Sequence, residues 1–111
     1  MKYSVNITGI AEEDILSTVK YIGNILKNPI AANNLLDEIE RYEKILEDTP
    51  NIYPFVQDEL LTQKGLRYFS VKNFLMFYMV MVNEGKRDVN IIRFLHGRRD
   101  WKNILLENEK E

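Results

Sequence analysis

The run "FLMFYMVMV", residues 74–82, constrains this chain more than any other stretch. Nine apolar residues are too few to cross a bilayer as a helix, which needs about 20. They are apolar at every position, so both faces of a strand built from them are apolar. That describes a central strand rather than an edge. Such a strand needs neighbours, and the sequence supplies them. "LRYFSV" spans residues 66–71 and "VNIIRFLH" spans 89–96, with "NEGKRD" and its Gly85 read as the turn between the last two strands. The close spacing predicts an antiparallel hairpin.

Upstream, "KYSVNI" (2–7) alternates, with Tyr3, Val5 and Ile7 on one side, as a half-buried strand does. Thr8 is placed to cap a first helix. Glu12, Glu13 and Asp14 come next in its first turns, where the helix dipole favours anions. Ile15, Val19, Ile22 and Ile25/Leu26 recur at helical spacing. Asn28 and Pro29 then read as N-cap and first residue of a second helix running to Glu47, with a buried stripe of Ala31, Leu35, Ile39, Tyr42 and Leu46. So short a connection forces an antiparallel helical hairpin. Pro50, Pro54 and Gly65 break up the next segment, with room for one helical turn at Asp58–Leu61. Asp100 is placed to cap a last short helix through Leu106.

The predicted order is β-α-α-β-β-β-α. The fold class is α+β: a single domain over residues 1–111, a mainly antiparallel sheet with the helical hairpin packed on one face. The other face is expected to be partly open and to carry most of the basic residues. A chain of 111 residues buries about two-thirds of its unfolded surface, enough for one core without staples. The absence of cysteine excludes disulfides, thiolate metal sites and a cysteine nucleophile. One histidine leaves only carboxylates for a metal, so no metal or other cofactor is expected. The N-terminus lacks the apolar run of a signal peptide, which leads to an expected cytoplasmic location.

Charge is unevenly distributed. Residues 1–62 hold five basic and eleven acidic side chains, whereas 63–102 hold nine basic and three acidic. This suggests a basic working surface on an acidic scaffold. Its centre is "IIRFLHGRRDW" (91–101), with the only histidine and only tryptophan of the chain. Histidine is the side-chain type that ionises nearest neutrality, and arginines suit bidentate phosphate contact. His96, Arg93 and Arg98 are therefore candidate catalytic residues for metal-free RNA cleavage. Arg67, Lys72, Tyr78, Arg93, Arg98, Arg99 and Trp101 are candidates for binding a target or partner. Each also has a plain structural reading. A histidine at a strand end is commonly a structural hydrogen-bonder, Tyr78 and Trp101 suit a core, and the Arg93 stem can cover apolar surface. Strict alternation sets Arg93 with Ile91 and Leu95, and His96 with Ile92 and Phe94, on opposite faces.

Several segments, in order, resemble the RelE/ParE superfamily of toxins from type II toxin–antitoxin pairs. "AEEDILSTVKYI" (11–22) resembles their first helix, and "NPIAANNLLDEIERYEKILEDTPNIYP" (28–54) their second helix and its exit. "LRYFSVKNFLMFYMV" (66–80) resembles the middle hairpin. "IIRFLHGRRDW" resembles the closing strand of the ParE-like branch. The resemblance implies a growth-inhibiting plasmid-stabilisation protein held inactive by a cognate antitoxin. It implies one of two targets: DNA gyrase, poisoned by ParE-like members, or mRNA cut on the ribosome by RelE-like members. Departures favour gyrase. Leu75 stands where the nucleases carry an arginine, and Trp101, near the place of their C-terminal tyrosine, has no hydroxyl. An inactive binding module is the third alternative.

Overall fold

The apolar run lies inside a sheet. In the computed structural model, which describes residues 2–107, β3 (Phe74–Asn83) pairs antiparallel with β2 (Leu66–Val71) and with β4 (Lys86–His96). The sheet order is β1-β4-β3-β2, so β3 and β4 are the inner strands. β1 (Ser4–Ile7) runs parallel to the outer edge of β4, with Ile7 opposite Ile91. The sheet is thus mixed, with one parallel pairing at its edge. Met76, Phe77 and Tyr78 are completely buried.

The β3–β4 turn is tighter than the six-residue "NEGKRD". Asn83 pairs with Lys86, leaving Glu84 and Gly85 at φ +46° and +83°. Two consecutive positive-φ residues make a primed turn, whose twist matches that of the strands. Both strands therefore extend further than alternation predicted.

α1 (Gly9–Lys20) starts at Thr8, whose Oγ1 accepts the Ala11 N–H. It continues as a π-helical turn over Tyr21–Ile25, closed by the Leu26 N–H donating to the Tyr21 carbonyl. One extra residue in that turn rotates the residues beyond it. Ile25 and Leu26, expected in the buried stripe, are accordingly exposed. α2 (Pro29–Asp48) is capped by Asn28, whose side chain accepts the Ala31 N–H. Its stripe holds Leu35, Ile39 and Leu46 as expected, but Ala32 is the buried alanine rather than Ala31.

The second face is covered rather than open. α3 (Glu59–Gln63), capped by Asp58, and α4 (Trp101–Glu107) lie over it. Val56, Leu61, Leu66, Phe77, Leu95 and Leu105 form a second core there, and the hairpin core holds Phe69, Met76, Tyr78, Ile91 and Phe94. The alternation read from β4 fails at one point. A bulge on β4, opposite the Phe77–Tyr78 step of β3, leaves Ile92 outside the register. Ile91 and Phe94 consequently share the hairpin core, while Ile92 and Leu95 share the other.

Candidate functional site

β4 ends where the chain must turn sharply. The Gly97 N–H donates to the Asn73 carbonyl at 2.9 Å, tying the β4 exit to the two-residue β2–β3 turn of Lys72 and Asn73. A Cβ on Gly97 would lie 3.4 Å from that carbonyl oxygen, an ordinary contact distance, so the junction is held by the hydrogen bond and not by the lack of a side chain. This junction brings Lys72, His96, Arg98 and Arg99 to one end of the sheet. Lys72, Arg98 and Arg99 are exposed and His96 is half-buried. The Lys72 charge reaches α2. The Glu38 carboxyl is held below the usual range chiefly by its hydrogen bond from Arg41, with Lys72 adding a smaller attraction.

His96 has a defined orientation. Its ring meets Phe74 edge-on at 5.2 Å, and its Nδ1 accepts the Arg98 backbone N–H at 3.1 Å. An accepting Nδ1 carries no proton, so the neutral ring holds its proton on Nε2. In that tautomer Nε2 is a donor and the Nδ1 lone pair is already engaged. Hollows flank the ring on two sides. One of about 460 Å³ lies toward α1 and includes Arg99. One of about 300 Å³ includes Asn73 and Arg98.

The other residues singled out from sequence lie elsewhere, each engaged within the protein. Arg93 makes a forked ion pair with Asp14 of α1, Nε to Oδ2 at 2.8 Å and Nη2 to Oδ1 at 3.0 Å. The same Asp14 Oδ2 accepts the Phe94 backbone N–H at 3.0 Å. β1 stops at Ile7, opposite Ile91, so the edge of β4 beyond it lacks a strand partner. Asp14 fills that place, together with Thr8, whose hydroxyl donates to the Ile92 carbonyl. Arg67 donates to the carbonyls of Asn51 and Tyr53 and lies 3.9 Å from the Phe55 ring, clasping the α2–α3 connection. Tyr78 is fully buried. Its hydroxyl donates to the Pro50 carbonyl, and burial pushes its ionisation well above the usual range. Trp101 packs on Phe77 at 5.5 Å and anchors α4. Asp100 accepts from the Asn103 side-chain amide.

A second surface was not read from the sequence. Between α1 and α2 runs a groove of about 460 Å³ with Ile7, Leu16 and Leu36 exposed along it and Glu12, Glu40 and Glu43 at its rim. Burial, then the charges of Glu40 and Glu47, raises the Glu43 carboxyl above its usual range. The available signal was that Leu16 and Leu36 fall off the buried stripes of otherwise amphipathic helices.

Comparison with known proteins accords with this architecture. Residues 5–101 match the family described as ParE toxin of type II toxin–antitoxin system, parDE. No curated protein sequence matches. Among solved structures, the fold resembles a chain of the chromosomal ParDE toxin–antitoxin system from P. aeruginosa. The TM-score is 0.66 at 19% identity, covering 85% of this chain and 95% of that one. It also resembles a chain of the RelBE2 toxin–antitoxin complex from Mycobacterium tuberculosis. There the TM-score is 0.58 at 18% identity, covering 86% and 99%.

Proposed function

This chain belongs to the ParE toxin family of type II toxin–antitoxin systems, and from that membership we propose that it stops growth as a cytoplasmic gyrase poison, binding through the basic end of its sheet. The observation that carries this reading is the state of the would-be nuclease set. Arg93 is spent on Asp14, Tyr78 is buried, and His96 has its Nδ1 lone pair engaged and its proton on Nε2. Positive charge and hydrogen-bond donors stay available at Lys72, His96, Arg98 and Arg99. That chemistry supports gripping an anionic surface rather than cleaving a phosphodiester.

The partner that silences the toxin is its cognate antitoxin. The groove between α1 and α2 supports docking of an antitoxin segment there, as an amphipathic helix with apolar residues against Leu16 and Leu36 and basic residues facing Glu12, Glu40 and Glu43.

The test uses purified protein in two assays. Wild type should block supercoiling by gyrase, and an Arg98→Ala/Arg99→Ala double variant should lose that block while keeping its fold and antitoxin binding. Ribosome-programmed mRNA should stay intact. Cleavage of that mRNA, abolished by His96→Ala, would replace the gyrase reading with the endonuclease one. Unimpaired growth on expression without antitoxin would leave only a binding module.

A further inference from the structure

The larger hollow beside His96 has aromatic walls that neither antitoxin capture nor gyrase binding explains. It lies on the α1 side of the β4 end. Tyr21, Phe74 and Phe94 give it aromatic walls, while His96 and Arg99 stand at one end and Ser17 on the helix side. Its volume of about 460 Å³ falls within the range of small-molecule sites. Phe74 and Phe94 stack on each other at 5.0 Å, and His96 meets Phe74 edge-on, so this wall is a continuous set of packed rings. Tyr21 opens the π-helical turn and is half exposed. Such turns are frequent at functional sites.

The electrostatics also select a ligand. Asp14 is the one carboxylate among the described lining residues, and Arg93 neutralises it with a two-pronged ion pair. The remaining polar end offers the Arg99 guanidinium and the His96 Nε2 donor. An anion is therefore favoured at that end and a flat apolar group along the aromatic wall.

We propose that this hollow binds a nucleoside 5′-phosphate, its base against Tyr21 and Phe74 and its phosphate at Arg99 and His96. The same chemistry belongs to a free mononucleotide and to the 5′-phosphorylated end of a nucleic acid strand. The site is independent of whether gyrase is the target.

The experiment is a titration of the full chain, ¹⁵N-labelled, with AMP and GMP, monitored by chemical shifts of the His96 ring and of the amides from Ser17 to Tyr21. Adenosine and inorganic phosphate are the half-ligand probes. Saturable shifts with the nucleotides, weaker with either half alone, are expected. Tyr21→Ala should weaken binding roughly tenfold or more, the loss of one base-stacking platform. Arg99→Ala should weaken it comparably. Both side chains are exposed, so neither replacement threatens the fold. Lys86→Ala, at the far hairpin, removes equal charge and should change nothing. Tighter binding of a 5′-phosphorylated tetranucleotide than of AMP would identify a strand end as the ligand. Equal binding would identify the free nucleotide. Either result supports the site. Lack of saturation at millimolar AMP and GMP would overturn it. So would shifts that survive both variants, or phosphate alone binding as tightly as AMP.

Discussion

The groove of the helical hairpin and the end of β4 are opposites in chemistry and in construction. The groove is apolar with an acidic rim, and its walls are regular helices whose faces are set by periodicity. The β4 end is polar and basic, built from two tight turns held together by the Gly97–Asn73 backbone hydrogen bond. A surface of the first kind gains affinity by burying area, which suits a long-lived antitoxin complex. One of the second kind gains encounter rate and orientation from charge, which suits capture of a target. The contrast teaches that net charge was a poor guide to this protein. Its acidic half and its basic half present chemically different surfaces.

Between the two regions stands the Arg93–Asp14 pair, and breaking it is the severest test. Arg93→Ala leaves a largely buried carboxylate with only the Phe94 N–H. A loss of about 3 kcal/mol is expected in urea unfolding, near the lower end for a broken buried pair. A loss below about 0.5 kcal/mol, the scale of a surface pair, would return Arg93 to the exposed set. Tyr78→Phe separates structural from functional tyrosine. Leaving the Pro50 carbonyl without its donor should cost about 1–2 kcal/mol and leave growth inhibition unchanged at matched folded concentration.

The comparison is sharpened by crossing variants with readouts. Leu16→Glu, at an exposed position, should weaken antitoxin affinity about tenfold, a difference of about 1.4 kcal/mol by calorimetry, and spare gyrase inhibition. Equal damage to both readouts would merge the two surfaces into one.

The smallest effect concerns pH. The Glu43 carboxyl is raised in the folded state, so the folded protein holds its proton to higher pH than the unfolded chain does. Stability should fall as pH rises from the ordinary glutamate range through the folded value, and the deficit persists above it. Glu43→Gln should remove that loss, making the variant slightly more stable than wild type at neutral pH but not at pH below the glutamate range. Cation binding at the rim should draw the Glu43 value back down. Proton uptake on antitoxin binding, instead of release, would contradict a basic docking segment.

The sequence by itself determined the element order, the inner position of residues 74–82 and the caps at Thr8 and Asn28. These rest on periodicity and on single side chains satisfying neighbouring backbone, both local matters. It also marked residues 96–99, because charges just past a strand stay near its end whatever the packing. Only the tertiary structure decided which arginines remain available. Arg93 and Asp14 are far apart in the chain, and β4 needs Asp14 because β1 stops short, a fact of register rather than composition. The bulge at Ile92 likewise reversed the expected facing of half a strand, since one inserted residue shifts every side chain beyond it to the other face. The second face closed because α3 and α4 meet over Phe77 and Leu95, a contact no local pattern encodes.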